Sequence, residues 1–269
     1  MLCRWLSVSP SGFYAWRNRK ASARYHEDQA LLEIISRIYW DSEGRYGSPR
    51  VHAALKAKGI AVARKRVERL MREAGLVGRV TQVTRRAPGL RRFKAAGENL
   101  LLEMAAPEDT NQVWVADVTY IKVKNKWCYL ATIMDACSRR IIGWSLSKAR
   151  TTELTEAALT YALRKRGRPT GVVLHTDRGI EFTNHSFQAL LKKNEIRHSV
   201  NRPGHCTDNA FMESFYHSLK GELIRGTFYK GLKSLRKDLG KYINKFYNAV
   251  RLHSGLNYQS PMEFEEGVA

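Results

Sequence analysis

Three acidic residues lie where a carboxylate is either unfavourable or directed toward a ligand. Asp117 stands in the middle of the apolar segment 113–121, where an unpaired charge destabilises a fold strongly. Asp177 follows the apolar segment 171–175, and the ends of such strands open into the ligand crevice of an α/β sheet. Glu213 lies near the start of a predicted helix. Three like charges from three elements repel one another without a divalent cation among them, so these acids are candidate Mg²⁺ ligands.

Each acid also has a structural interpretation. Asp177 could cap a turn, and Glu213 could be an ordinary solvated acid on a helix. Asp117 is the hardest to explain in this way, because no cation is close to it on the same strand face. Two further acids, Asp135 and Asp208, are expected to do local structural work outside the reacting group.

The spacing of the acids strengthens the chemical interpretation. Thirty-five residues separate Asp177 from Glu213, which lies on a helix predicted over 210–223. His217 and Lys220 follow Glu213 at i+4 and i+7, so one helix face presents an acid, a proton or phosphate partner and a cation. A separate apolar stripe is predicted to face the sheet and consists of Phe211, Phe215 and Leu219.

The charge balance indicates the class of partner. The 269 residues include 46 Lys and Arg against 25 Asp and Glu, a net charge of +21. Such an excess repels itself in a compact fold, which favours nucleic acid as partner over a merely basic protein or a membrane-surface binder. The sequence has no apolar run of membrane-span length and no apolar signal-peptide core. Its four cysteines are scattered without a CxxC pair, so we expect a reducing, cytoplasmic location.

Residues 1–80 are predicted to be a helical DNA-binding region with helix-turn-helix units. Ser48 and Pro49 are expected to begin one helix, and the next helix is predicted over 63–74, with Gly75 at its C′ position. The cations of this second helix either contact DNA, as we expect, or form only a solvated basic face. They are Arg64, Lys65, Arg66, Arg69 and Arg72.

The rest of the chain divides into three predicted parts. Residues 81–112 form a basic linker in which Arg91 and Arg92 are expected to contact DNA, although a simple connector fits the sequence equally well. Residues 113–231 begin with three short strands and continue as alternating helices and strands, which predicts a mixed five-stranded α/β sheet. Residues 232–269 are expected to form a C-terminal helical tail.

Three segments that contain the acids resemble the catalytic blocks of the retroviral-integrase-type DDE recombinases. The segments are 114–121 (WVADVTYI), 175–179 (HTDRG), and 208–215 (DNAFMESF) followed by Lys220. More narrowly, the whole chain is similar to the second-reading-frame protein (OrfB) of the IS-three family of bacterial insertion sequences. The matching segments outside the core are 45–52 (RYGSPRVH), 64–71 (RKRVERLM), 247–254 (YNAVRLHS) and 260–264 (SPMEF).

The resemblance implies a ribonuclease-H-like integrase catalytic core in which Asp117, Asp177 and Glu213 hold two Mg²⁺ ions, with Mn²⁺ able to substitute. Lys220 would be a further catalytic residue that contacts phosphate, and His217 would contact DNA. The implied reaction is metal-dependent cleavage and transfer of DNA strands at insertion-sequence ends, a transposase activity. One ion would activate the attacking oxygen and the other would stabilise the leaving 3′ oxygen.

The resemblance also implies partners. These are double-stranded DNA, as terminal inverted repeats and target DNA, further copies of the chain in a homo-oligomer on DNA, and an upstream-frame DNA-binding protein to which this frame is often fused. A bacterial, nucleoid-associated protein is therefore expected. Two alternatives stay open from the residues alone: a nuclease of the same fold that cuts without joining, and a non-enzymatic helix-turn-helix regulator.

Overall fold

The computed structural model describes residues 2–18, 20–79, 97–203 and 206–268. The chain divides into two compact units, residues 1–79 and residues 80–269. The predicted DNA contacts Arg91 and Arg92 lie outside the described residues. The finer division of the second unit into linker, core and tail stays a prediction.

The first unit is helical throughout its regular structure. Its helices are α1 (Leu2–Trp5), α2 (Pro10–Arg17), α3 (Ala23–Asp41), α4 (Ser48–Ala57) and α5 (Arg64–Glu73). The expected cap at Ser48 is wrong by one residue, because Gly47 is the N-cap and Ser48 already has helical geometry. Val51 and Leu55 of α4 are fully buried, as is Val67 of α5, so the two helices share an apolar core.

A carboxylate of α3 holds the basic helix α5 in place. The two oxygens of Asp28 each accept a hydrogen bond at 2.7 Å, one from Arg66 Nε and the other from Arg69 Nη2. Asp28 is buried, and the hydrogen bonds from Arg69 and then Arg66 lower its pKa below the ordinary value of 3.8. Charge-assisted bonds of this kind are short and directional, so they fix how α5 packs on α3.

The second unit is built on a mixed sheet of five strands, which confirms the predicted fold class. The strands are β1 (Val113–Val123), β2 (Lys126–Asp135), β3 (Ile141–Ser147), β4 (Val173–Thr176) and β5 (Arg197–Val200), in the order β3-β2-β1-β4-β5. The first three form the predicted antiparallel meander, whereas β4 and β5 run parallel to β1. The apolar runs of β1, β2 and β4 are almost wholly buried, as expected for central strands.

Helices cover this sheet and complete its core. They are α6 (Thr152–Lys165), α7 (Ile180–Thr183), α8 (His185–Lys193), α9 (Ala210–Leu219), α10 (Leu232–Gly240) and α11 (Pro261–Val268). Two π-helical segments, Lys220–Ile224 and Lys241–Tyr247, continue α9 and α10. Gly143 of β3 lets α6 approach closely, because a Cβ at this position would lie 2.4 Å from the Ala158 carbonyl oxygen.

The predicted apolar stripe of α9 is wrong at Phe211, which is 38% exposed. The buried side chains of the helix are Met212, Phe215, Tyr216 and Leu219. The buried stripe is therefore centred one position later than predicted. The Phe211 ring instead contacts Arg139, whose Cζ lies 3.4 Å from the centroid of the ring.

The C-terminal residues pack against the sheet through buried polar contacts. The side-chain amide of Asn248 bonds both the N–H and the carbonyl of Ile141, each at 2.9 Å. Glu222 and Arg251 form a buried ion pair at 2.8 Å. Glu265 of α11 accepts hydrogen bonds from Arg140 and Arg166. Asn248 and Arg251, both in the segment 247–254, therefore have structural roles.

Among the helices that the structure describes, none is both long enough and apolar enough to cross a membrane.

Replacing Asp28 with asparagine should lower the thermal midpoint of the helical unit, since both arginines lose a charged partner. Because the pKa of Asp28 is lowered in the folded state, its stabilising effect is present above pH 3.8 and is lost as the pH falls through the lowered value. Circular dichroism melts between pH 3 and 7 should therefore show a difference between Asp28→Asn and the parent that shrinks toward pH 3. Glu33→Gln, at an exposed position of the same helix, is the matched control. A pH-independent difference would contradict the electrostatic account.

Candidate active site

Asp117 and Asp177 lie at the ends of the paired regions of two neighbouring parallel strands. β1 pairs with β4 through Val113, Trp114 and Val115, so Asp117 is the second residue beyond the last pair. Asp177 directly follows Thr176, the last residue of β4. Because β4 ends beside the middle of β1, this topology brings the two carboxylates together at the carboxyl end of β4, where α/β folds bind ligands.

Burial and mutual repulsion make both carboxylates hard to ionise. Burial, and after it the negative charge of Asp177, raise the pKa of Asp117 well above its ordinary value. Burial and the charge of Glu181 raise the pKa of Asp177. One backbone N–H opposes each shift: Val118 donates to Asp117 at 2.7 Å, and Gly179 donates to Asp177 at 3.0 Å. Like charges held this close are a hallmark of reacting or ion-binding centres.

A third carboxylate and an arginine, neither of them expected from the sequence, complete the group. Glu181 on α7 is only 2% exposed and accepts a hydrogen bond from Arg150 Nε at 2.7 Å. The same guanidinium reaches Asp177, with Nη2 4.0 Å from Oδ2. Arg150 therefore supplies the positive charge that the three carboxylates need. The sequence signal that could have indicated Glu181 is its place four residues after Asp177, next to the buried Phe182.

The turn between Asp177 and Glu181 has room only for glycine. A Cβ on Gly179 would lie 2.7 Å from Glu181 Oε1 and 2.9 Å from Asp177 Oδ1. Both distances are shorter than a real Cβ contact, so any side chain would push one of the carboxylates away. The glycine of the HTDRG segment thus serves close packing at the site, and its backbone angles are ordinary ones.

Glu213 is not brought into contact with the two aspartates. It is exposed in the first turn of α9, and within the described parts of the chain no three His, Cys, Asp or Glu side chains are arranged to hold a metal ion. The helix itself is fixed beside Asp117. Asn209 Nδ2 donates to the Ala116 carbonyl at 3.0 Å, and the Tyr216 hydroxyl donates to the carbonyl of Asp117. Glu213 is therefore carried by an element anchored to β1.

Lys220 is close enough to Asp117 to be affected by its charge, although the i+7 spacing places it only on one helix face with Glu213. It is half-buried, its Nζ lies 4.7 Å from the centre of the Tyr120 ring, and burial lowers its pKa while the charge of Asp117 opposes that effect. His217 is half-buried one turn earlier on the same helix. Both placements leave their predicted roles toward DNA as predictions.

The two acids expected to do structural work are embedded in local networks. Asp135 is fully buried and accepts hydrogen bonds from the backbone N–H groups of Asn111, Cys137 and Ser138. Asp208 pairs with Arg202 at 2.8 Å, a contact that lowers the pKa of the acid. Neither is among the main causes of the raised pKa values of Asp117 and Asp177.

The five predicted DNA-binding cations of α5 fall into two groups. Arg64, Lys65 and Arg72 are exposed, whereas Arg66 and Arg69 are half-buried in the ion pairs with Asp28. The structure thus gives Arg66 and Arg69 a packing role that the sequence did not indicate. The exposed three are the ones whose charges are directed to solvent.

Comparison with known proteins agrees with this geometry. Family models described as an integrase core domain match residues 107–206 and 194–261, and one described as an HTH-like domain matches residues 26–84. The transposase InsF for insertion sequence IS3A of Escherichia coli K12 is 37% identical over 98% of this chain and 92% of its own length. The chain belongs to the IS3-type family of insertion-sequence transposases.

Further relatives extend the comparison. The transposase for insertion sequence element IS904 of Lactococcus lactis is 34% identical to this transposase over 93% of the chain and 98% of its own length. Among solved structures, the magnesium complex of the HTLV-2 integrase catalytic core matches 58% of this chain and 97% of its own, with 20% identity and a TM-score of 0.41. A chain of the simian T-cell lymphotropic virus intasome matches 86% of this chain and 74% of its own, with 17% identity and a TM-score of 0.48.

Replacing Arg150 with methionine should destabilise the transposase by about 3–5 kcal/mol, because the buried carboxylate of Glu181 loses its counter-charge. Urea unfolding at pH 7 measures this loss. Adding Glu181→Gln to the Arg150→Met variant should recover part of it, since a neutral amide needs no counter-charge. Arg164→Met, at an exposed position of α6, is the control and should change the stability little. Equal stability of the single and double variants would contradict the assigned pairing.

Proposed function

We propose that this transposase cuts DNA at the ends of an insertion sequence and joins the released 3′ ends to target DNA, with Asp117 and Asp177 at the reacting centre. The observation that supports the proposal is the pair itself. Two carboxylates from adjacent parallel strands lie close enough for the charge of Asp177 to raise the pKa of Asp117. Such a pair is unfavourable for folding, so a role in ion binding or catalysis is the simplest reason for it.

The donor chemistry of the pair suits a divalent cation. Mg²⁺ prefers carboxylate and water oxygens and keeps positions open for phosphate. The side chain of Asp177 is 37% exposed, so the pair is accessible from solvent. The side chain of Glu213 is directed to solvent. For Glu213 to become the third ligand, the start of α9 would therefore have to change its position. We expect two Mg²⁺ ions, replaceable by Mn²⁺, which supply Lewis acidity at the phosphoryl group.

The remaining residues of the site bind and orient. Lys220, whose ammonium lies near Asp117, would hold a phosphate oxygen next to the scissile bond, and His217 would contact the neighbouring phosphate. Arg150 balances the negative charge of Glu181 and also contacts Asp177, which helps to hold Asp177 in position. Phosphoryl transfer needs positioning and charge stabilisation more than covalent chemistry from the protein, and these side chains supply both.

The helical unit would select the DNA. Arg64, Lys65 and Arg72 are exposed on α5, the third helix within the HTH-like match, and are directed to solvent where phosphates or base edges would meet them. Arg66, Arg69 and the linker residues Arg91 and Arg92 stay predicted contacts. Terminal inverted repeats and target DNA are the proposed partners, with further copies of the chain, an upstream-frame DNA-binding protein, and a location at the bacterial nucleoid.

Asp117→Asn, Asp177→Asn and Glu213→Gln should each reduce strand cleavage and joining at least about a hundredfold while repeat binding stays intact. The substitutions keep size and remove a ligand charge, and lost charge stabilisation by metal is worth several kcal/mol. Labelled inverted-repeat duplexes incubated with Mg²⁺ and resolved on gels report cleavage and joining separately, and a mobility shift reports binding.

Asp208→Asn is the matched control for these variants, because Asp208 lies five residues before Glu213 in an unrelated ion pair. It should retain activity. Asp135→Asn should retain activity per folded molecule but lower the stability, since Asp135 is buried and accepts three backbone hydrogen bonds. Full loss of activity in a folded Asp208→Asn variant, or activity retained by Glu213→Gln, would mean that a different set of carboxylates acts.

Magnesium should raise the thermal midpoint of the transposase without DNA, and the rise should depend on Asp117. A cation that binds only the folded pair adds about 2.7 kcal/mol at a hundredfold excess over Kd. For a protein of this size, that corresponds to roughly 5–10 °C. Asp117→Asn removes one of two repelling charges, so its metal-free midpoint should be higher than that of the parent while its response to Mg²⁺ shrinks. Differential scanning calorimetry with EDTA or with Mg²⁺ makes the comparison. An equal response to Mg²⁺ in both proteins would make Asp117 a structural acid.

A further inference from the structure

The far end of β1 carries a cavity with a basic rim that the proposed reaction does not use. The cavity has a volume of about 560 Å³ and is formed by the β1–β2 turn, the residue after β3 and the start of α10. Trp127 lines it and is 51% exposed. Four of its lining residues are lysines: Lys124, Lys126, Lys148 and Lys230. An apolar cavity surrounded by cations is unusual for a surface that only meets water.

The positive charge of this surface is not balanced by the protein. All four lysines are exposed, and so is Lys122, whose Nζ lies 6.0 Å from the centre of the Trp127 ring. In the parts of the chain that the structure describes, none of the five makes an ion pair, and the lining of the cavity includes no acid. Four of these like charges line one cavity and the fifth lies beside the Trp127 ring, so they repel one another and a polyanion is the complementary ligand.

A continuous row of contacts connects this surface to the reacting centre. Lys220 lies near Asp117 and over the ring of Tyr120, and Tyr120 packs edge-on against Trp127 with centroids 5.1 Å apart. From Asp117 to Lys124 the strand extends about 23 Å, at about 3.3 Å per residue. This length corresponds to about seven base pairs of B-form DNA, at about 3.4 Å each along one strand.

From these observations we propose that the surface made of Lys122, Lys124, Lys126, Trp127, Lys148 and Lys230, here called the hairpin surface, binds DNA that flanks the reacting phosphate. The lysines neutralise successive phosphates of the duplex, and Trp127 stacks on an unpaired base at a single-stranded DNA end, at the opening of the cavity. The inference rests on the proposed function for the place of the reacting phosphate. It adds a DNA contact in the catalytic unit that is separate from the helical unit.

The test is the salt dependence of DNA binding by the full chain in EDTA, measured by fluorescence anisotropy with a labelled 40-base-pair duplex of arbitrary sequence. In the triple variant Lys124→Ala/Lys126→Ala/Lys148→Ala, the slope of log K against log salt should become shallower by about 2.7, from about 0.9 per lost phosphate contact. If both proteins bind equally when extrapolated to 1 M salt, the triple variant should bind roughly 500-fold more weakly at 0.1 M salt. All three lysines are exposed, so the thermal midpoint should not change.

The matched control is the triple variant Lys192→Ala/Lys193→Ala/Lys245→Ala, which removes the same charge from exposed positions of the same unit. Its slope should change by less than about one. Equal slopes in the two triple variants would overturn the proposal, because the effect would then be one of net charge alone.

Trp127 gives a second, independent measurement. The same duplex extended by a short single-stranded 3′ end should quench part of the tryptophan fluorescence of the parent protein, and that part should be missing in Trp127→Phe. Trp127→Ala should weaken binding about 5- to 150-fold, the range for loss of one base–aromatic stack. Unchanged quenching and affinity in both variants would overturn the role of the ring. Because binding is measured without metal, a failure of the cleavage experiments would leave these results intact, and the reverse also holds.

Discussion

The repulsion between two half-buried aspartates is the constraint on which the rest of the catalytic unit depends. β4 must run parallel to β1 and end beside the middle of β1 for Asp117 and Asp177 to meet, and such a meeting raises the pKa of Asp117 and opposes folding. The sheet compensates with a large apolar core beneath the pair, in which Trp114, Leu174 and Phe182 are all buried. A site of this kind persists only because the surrounding fold over-determines it.

Arg150 is the second part of this balance. It lies just before α6 and reaches across to Glu181 on α7, so one guanidinium restrains two helices and the end of β4. Removing the charge of either Arg150 or Glu181 leaves the other ion buried without a partner. This destabilises the fold far more than breaking an ion pair that is exposed to water. The same principle joins the C-terminal residues to the π-helical segment Lys220–Ile224 through Glu222 and Arg251. The site is thus held by ion pairs that lie outside its predicted residues.

Sequence patterns predicted the sheet well because its strands are apolar, short and separated by clear turn residues. They also located Asp117, since a charge in an apolar strand destabilises the fold unless it binds a ligand or a counter-charge. They failed where the outcome depends on contacts distant in sequence. Arg150 and Glu181 are 31 residues apart, and no local period links them. The prediction that Phe211 is buried was wrong because the buried face of a helix can shift by one residue while the number of apolar side chains on it stays the same. The ion pairs of Arg66 and Arg69 with Asp28 likewise join α5 to an acid about forty residues earlier.

Arginine, rather than lysine, is the counter-ion of four buried and half-buried acids. The buried or half-buried acids Asp28, Glu181, Glu222 and Glu265 are all paired with arginines. A planar guanidinium matches a carboxylate with directed hydrogen bonds and loses less hydration than an ammonium group does. The hairpin surface instead presents lysines, whose hydrated point charges suit a phosphate backbone that slides past them. Each arginine–carboxylate pair contributes nothing to the net charge, so the net charge of +21 comes from cations outside these pairs.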